Sequence, residues 1–225
     1  HEIRNPLSAI NGMLELTGQQ RAGDHPDDEA LQVAHEATEA LLSLTSEILD
    51  FTRLEANRLI LRPEPVSLRA LLESVGAVYE RAARQKNRRL LLAIDAVLSR
   101  KVLADPLRLR QIVTNLLSNA IKFTSAGDVR LEALCDEKPD ALLFITLRVQ
   151  DSGAGIDPAT AQSLFQPFSQ GESESIAQGS GMGLYIARSL ARMMGGDIEL
   201  QSKPGEGSTF SVTLQLRQVE ESDTL

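Results

Sequence analysis

Three short segments carry residue types and spacings suited to chemistry on a phosphorylated ligand. In Asn115-Leu-Leu-Ser-Asn119-Ala-Ile-Lys122, the named positions follow i, i+4 and i+7, so a helix would place two amides and an ammonium on one stripe. Amide oxygens are hard ligands for a hydrated cation, and lysine is a point charge for phosphate. Asp151-Ser-Gly153-Ala-Gly155-Ile156 follows the apolar run Leu142 to Val149. A carboxylate at a strand end accepts a hydrogen bond from an exocyclic amine such as that of adenine, and the glycines let backbone approach a flat ring. Gly179-Ser-Gly181-Met-Gly183-Leu184 opens a helical pattern through Tyr185, Ala187 and Leu190. Glycines there expose backbone N–H groups and the positive end of the helix dipole, which suit phosphate.

Each segment alone has a plainer reading: a solvated stripe opposite Ile112, Leu116 and Ile121, a turn after a strand, or an ordinary glycine-rich loop. The third is not a dinucleotide fingerprint, because the polar stretch Phe165 to Gln178 precedes it instead of a strand. It also lacks the Gly-Lys-Ser/Thr ending of a P-loop, and the chain has neither HRD nor DFG of the protein kinases.

The elements that must hold these residues divide the chain at Pro63-Glu-Pro65. Before it, Ile3, Leu7, Ile10 and Leu14 form one helical stripe, with Pro6 near its start, and Arg21 to Asp28 reads as a loop. From Glu29 to Leu61 a second helix places Leu31, Ala34, Thr38, Leu41, Thr45, Ile48 and Thr52 on a seven-residue repeat, with Leu42 and Leu49 beside it. Two such helices cannot enclose a core alone, which predicts a homodimer whose hairpins form a four-helix bundle; the alternative is a hairpin packed on its own C-terminal domain. After the prolines, the order is helix 68–85, strand 90–94, strand 101–104, helix 106–122, strands 129–135 and 142–150, helix 183–194, and strands 197–202 and 208–216. Strands grouped in hairpins predict an α+β sandwich with helices on one face of a mixed sheet. The expected domains are a helical hairpin over 1–62, a ligand-binding domain over 63–217 and a tail over 218–225.

Composition narrows the function. The 225 residues are 42% hydrophobic and 24% charged, ordinary for a globular protein, and no apolar run approaches the ~20 residues that span a bilayer. The formal charge of −8 argues against a nonspecific nucleic-acid binder, and residues 1–62 hold much of the excess, with 5 basic and 11 acidic side chains. The basic run Arg81 to Arg89 has no aromatic interleaving and reads as a solvated helix end. One cysteine, Cys135, and no signal-peptide pattern point to a reducing compartment. A chain opening at His1 without Met also reads as a piece of something longer.

Taken in order and at these distances, the three segments resemble the N, G1 and G2 boxes of the ATP-binding domain shared by sensor histidine kinases, gyrase, Hsp90 and MutL. Leu164-Phe-Gln-Pro-Phe168 resembles the F box, and His1-Glu-Ile-Arg-Asn5-Pro6-Leu the phosphoacceptor H box of a histidine kinase. The wording through Gly205-Glu-Gly-Ser-Thr-Phe210 is most similar to hybrid sensor kinases of bacterial two-component signalling, departing only in Met182 and Tyr185. The resemblance implies a helical hairpin followed by an α+β sandwich, binding ATP and Mg²⁺. It implies Asn119, with Asn115 beside it, for the metal; Lys122 for the phosphates; Asp151 for the adenine amine; and Gly153, Gly155, Gly179, Gly181, Gly183 and Leu184 for close approach. Thr209 would assist Asp151, and 165–180 would form a lid. It further implies that His1 is phosphorylated, that Glu2 orients and deprotonates it, and that Asn5 places a water for a reverse phosphatase reaction. The partners it implies are a second copy of the chain and a response-regulator receiver domain, in a cytoplasmic setting whose membrane anchor, where there is one, lies outside these residues. His25 and His35 lack such a context and read as surface residues.

Overall fold

The computed structural model describes residues 28–137, 142–169 and 180–219, so the expected first helix, the loop 21–28 up to its last residue, and the tail beyond 219 lie outside the described residues. The chain divides into two compact units, 1–59 with 170–182, and 60–169 with 183–225.

In the first unit, α1 spans Asp28–Glu55. Sequence periodicity carried this helix to Leu61, but Asn57 takes φ 51° and closes it. The Arg58 N–H donates to the Arg53 carbonyl (2.8 Å) and the Asn57 N–H to that of Leu54 (2.9 Å), the paired bonds of a Schellman stop, for which asparagine is one of the few suitable side chains. Along α1 the better-covered apolar positions include Ala34, Ala37, Leu41, Leu44, Ile48 and Phe51, with Asp50 buried beside them; Ala34, Leu41 and Ile48 belong to the expected seam, and Ala37, Leu44 and Phe51 take the place of its threonines. Thr38, Thr45 and Thr52 are exposed, and their hydroxyls turn back to the carbonyls of Ala34, Leu42 and Leu49. Leu42 and Leu49 stand 60% and 56% exposed on the single chain.

The second unit is a seven-stranded mixed sheet with helices on one face. Its elements are β1 (Glu64–Ser67), α2 (Leu68–Gln85), β2 (Arg89–Ile94), a 3₁₀ turn (Ala96–Ser99), β3 (Lys101–Ala104), α3 (Pro106–Phe123), β4 (Asp128–Glu137), β5 (Leu142–Asp151), α4 (Pro158–Ser163), α5 (Gly183–Met193), β6 (Asp197–Lys203) and β7 (Gly207–Gln218). The strand order is β1-β3-β7-β5-β4-β2, with β6 on β7 beside β3; only β2–β4 is parallel. Pro65, expected at a domain boundary, sits in β1, an edge strand paired only with β3, where proline is tolerated. The 3₁₀ turn and α4 are too short for a periodic signal in the sequence.

Local chemistry sets the ends of these helices. Ser67 caps α2 by accepting the Ala70 N–H, and Asp105 caps α3 by accepting that of Arg108, with Pro106 behind it. Asp105 also takes the Arg62 N–H at 2.9 Å, tying the entry strand to the helix start. Leu109, Ile112, Val113, Leu116, Leu117, Ala120 and Ile121 bury the apolar face of α3, which leaves its polar stripe on the side away from the core. The basic run at the end of α2 is engaged internally: Arg84 pairs with Glu80, Arg89 with Asp128 through two bonds of 2.8 and 2.7 Å, and Arg88 donates to the Ile121 carbonyl. None of the described helices is long and apolar enough to cross a membrane.

Candidate nucleotide site

The site follows from two periodicities. Along β5, Leu143, Ile145, Leu147 and Val149 point inward and are buried, and the same two-residue period carries Asp151 to the inner side at the strand end, 7% exposed. A carboxylate there needs donors. It accepts the Gly153 N–H at 2.9 Å, and both the N–H and the hydroxyl of Ser208, its register partner on β7.

Ser208 replaces Thr209 in the expected role. Along β7 the residues at 208, 210, 212, 214 and 216 are buried, so Thr209 lies on the outer face, level with Gln150 and Gln201. The alternation was legible in the sequence, because Phe210, Val212, Leu214 and Leu216 fix which parity faces inward, and 208 shares it.

The glycines allow backbone to close on the site. A Cβ on Gly153 would stand 2.5 Å from the Phe123 carbonyl oxygen at the end of α3, and one on Gly155, at φ 68°, would stand 2.1 Å from the Lys203 carbonyl oxygen. Gly205 N–H donates to the Ala154 carbonyl (2.7 Å) and Ile156 N–H to Ser202 Oγ (2.8 Å), so the loop after β5 is strapped to the β6–β7 hairpin. Midway along α3, Asn115 Nδ2 donates to the Gly183 carbonyl at 2.9 Å, and a Cβ on Gly183 would press that amide at 3.4 Å.

These contacts give α3 a direction. Gly183 and the start of α5 abut Asn115, while Gly153 abuts the Phe123 carbonyl, eight residues or roughly 12 Å further along the helix. Asn119 lies midway on that stripe, half-buried, and its side-chain amide makes no hydrogen bond among the described residues. Lys122 lies near the Gly153 end, its Nζ 4.9 Å from the Phe123 ring centre. Leu184 is half-buried at the second position of α5. Gly181, at φ 67°, belongs to the segment grouped with the first unit, where the Met182 N–H donates to Ser180 Oγ (3.1 Å) and Ser180 Oγ donates to Glu47. Gly179, His1, Glu2 and Asn5 lie outside the described residues.

The donor set fits a nucleotide and its cation. Asn119 offers a half-buried amide without a partner among the described residues, and α5 has no acidic side chain in its first turn to compete with phosphate. No group of three His, Cys, Asp or Glu among the described residues would form a metal cage. A cation here would therefore rest on amide oxygen, water and the phosphates themselves, the usual preference of Mg²⁺.

Residues 104–218 match the family described as histidine kinase-, DNA gyrase B-, and HSP90-like ATPase, and residues 1–57 match the His kinase A phosphoacceptor domain. The chain belongs to the sensor histidine kinases. Its two family matches correspond to the catalytic core of such a kinase, a phosphoacceptor hairpin followed by an ATP-binding domain. The virulence sensor protein BvgS of Bordetella bronchiseptica is 44% identical over 226 residues, covering 99% of this chain and 18% of that protein. The sensor protein GacS of Pseudomonas syringae is 38% identical, covering 98% of this chain and 24% of that protein. The crystal structure of full-length ShkA in complex with AMPPNP superposes with a TM-score of 0.73 at 30% identity, covering 97% of this chain and 45% of that one. This kinase core thus spans about a fifth of the length of the curated relatives it matches.

Burial pushes the Asp151 carboxyl above its ordinary range, against the opposing pull of the Gly153 and Ser208 hydrogen bonds. A carboxyl raised in the folded state adds stability below the unfolded pKa of ~4 and loses it as pH climbs through the folded value, so at neutral pH the ionised group costs stability. In the nucleotide-free protein, Asp151→Asn should therefore gain melting temperature relative to the parent as pH rises from about 4 to 7. Thermal scans across that range check it; a difference that shrinks with pH contradicts it.

Proposed function

We propose that the chain is an ATP-dependent histidine autokinase that phosphorylates His1 and passes the phosphoryl group to an aspartate of a response-regulator receiver domain. One observation carries the reading: a phosphoacceptor match over 1–57 stands in the same chain as a site whose adenine end (Asp151, Gly153, Ser208) and phosphate end (Gly183) are joined by the stripe Asn115, Asn119, Lys122. The ATP analogue bound to the similar protein ShkA supports the same ligand.

In this reading Asp151 takes the adenine amine and the backbone at Gly153 and Gly155 takes the ring. Asn119, with Asn115 beside it, holds Mg²⁺, while Lys122 and the glycines Gly179, Gly181 and Gly183 hold the phosphates. When bound, Mg²⁺ neutralises charge on the phosphates, which suits a loose phosphoryl-transfer transition state. An imidazole with a pKa near 6.5 is largely neutral at pH 7 and nucleophilic. His1 nitrogen forms an N–P bond to the γ-phosphorus as the bond to the β–γ bridging oxygen breaks and ADP departs, and Glu2 accepts the imidazole proton. A receiver aspartate oxygen then attacks that phosphorus, forming an O–P bond as the N–P bond breaks, and the imidazole takes back a proton to leave as neutral histidine. Asn5, four residues on in the sequence, places a water for hydrolysis of the receiver's acyl phosphate.

The exposed Leu42 and Leu49 on α1 support a homodimer, since one hairpin cannot cover them. The input signal and any segment that reaches a membrane belong to the remainder of the longer protein that its relatives' lengths imply.

Incubation with γ-labelled ATP and Mg²⁺ should put acid-labile, alkali-stable label on the chain, and a cognate receiver should drain it. Nucleotide binding with no label under any condition would make the protein an ATP-sensing scaffold instead.

A further inference from the structure

The start of α5 must be held in register if its N–H groups are to meet phosphate. Ile186, Ala187, Leu190 and Ala191 bury one face of the helix against the core. A second face is tied by charge. Arg188 sends Nε and Nη2 to the two oxygens of Asp197, at 2.7 and 3.1 Å, and Arg192, one turn on, reaches the same carboxylate at 3.3 and 3.2 Å. Asp197 is itself fixed at the start of β6: its N–H donates to Thr213 Oγ1 (3.1 Å) and its Oδ1 accepts the Ile198 N–H (2.8 Å). These donors hold its carboxyl well below the usual range, so it stays charged wherever the protein is folded and active.

The guanidinium so oriented lies over the ring of Phe165, with Cζ 4.6 Å from the ring centre. Phe165 in turn meets Phe210 edge to face, with centroids 6.4 Å apart. Phe210 is buried on β7, two residues beyond the Ser208 that holds Asp151. A continuous stack thus runs from the middle of α5 to the strand that carries the adenine end.

We infer that Arg188 and Phe165 are positioning residues that set the start of α5 relative to Asp151, and so govern binding of the phosphates but not of the adenosine. The inference rests on the nucleotide site proposed above. Neither side chain touches nucleotide in this account; they act through helix register. The guanidinium's hold on a π face requires an aromatic ring, and its two parallel bonds to Asp197 require the planar fork.

The test compares the affinities of the whole chain for Mg²⁺-ATP and for adenosine by calorimetry and ligand-observed NMR. Phe165→Leu keeps apolar volume and loses the π face; Arg188→Met keeps the stem and loses the fork. Each should weaken ATP binding on the order of tenfold while leaving adenosine within about twofold, and the double variant should be no worse than either single one. Phe165→Tyr should bind like the parent. If Arg188→Met does not fold, Arg188→Lys, which retains the cation without the fork, should show a smaller loss of ATP and none of adenosine. Unchanged ATP affinity in folded variants, or equal loss of both ligands, overturns the inference alone. A parent protein that binds no ATP overturns the site itself.

Discussion

His1→Gln should reduce acid-labile phosphorylation by on the order of a thousandfold or more, down to background, while leaving nucleotide affinity unchanged. The amide of glutamine delocalises its nitrogen lone pair into the carbonyl and cannot form the N–P bond, although it preserves the size and polarity of the side chain. Every described residue at the adenine end and along α3 belongs to the second unit, so removing an imidazole from the first leaves Asp151, Gly153, Ser208 and Asn119 as they are. The measurement pairs a filter-bound label assay with calorimetric ATP binding. Retained label in the variant would move the acceptor elsewhere; lost binding would mean that His1 helps build the nucleotide site.

The second large effect belongs to Asn119. Its amide is half-buried, unpartnered among the described residues, and midway between the Gly183 and Gly153 contacts. Removing it should weaken Mg²⁺-ATP by about a hundredfold, in keeping with the loss of a group that holds a metal. The effect should depend on the cation: with excess chelator, parent and Asn119→Ala should bind ATP alike, because the amide's contribution passes through Mg²⁺. Asn115→Ala has a different expected pattern, since Asn115 Nδ2 already donates to the Gly183 carbonyl and its loss disturbs the start of α5 as well. A variant at 119 whose ATP affinity matches the parent's in Mg²⁺ would remove that residue from the site.

Much of this architecture was readable from pattern. Helix α2 and strand β3 have the boundaries expected from periodicity and breakers, and α3 runs one residue further than expected. Strong amphipathic periods leave few alternatives when Ser67 or Asp105 caps the helix start, with a left-handed Asn87 just past the end of α2. The misses came from elements whose determinants are not local. β1 exists because β3 offers a free edge, and no feature of Glu64-Pro65-Val66-Ser67 announces that edge. α1 stops at Asn57 rather than at the next proline, because a left-handed asparagine can end a helix without a breaker.

The site was legible as a set of boxes and less so as geometry. Spacing placed Asn115, Asn119 and Lys122 on one face and put Asp151 at a strand end. What it did not convey is that Gly183 and Gly153 close on the two ends of that face, a fact of tertiary contact between segments far apart in sequence. Thr209 was a parity error: resemblance supplied a hydroxyl residue near the right place, and alternation along β7 selects its neighbour Ser208. Phe165 stands out in the sequence only as part of the F box and the start of a lid; its contact with Arg188 gives no warning there, because a cation–π contact between residues 23 apart has no periodic signature.

The most direct measurement of the central claim follows the terminal phosphoryl group of ATP to its atom of attachment. The chain is incubated with Mg²⁺ and ATP isotopically labelled at either the α or the γ phosphorus, digested at alkaline pH, and sequenced by mass spectrometry. The account predicts γ-derived phosphate on the imidazole of His1 and none from the α position. Phosphate found on a serine or threonine, or no modified peptide from a chain that demonstrably holds ATP, would contradict it.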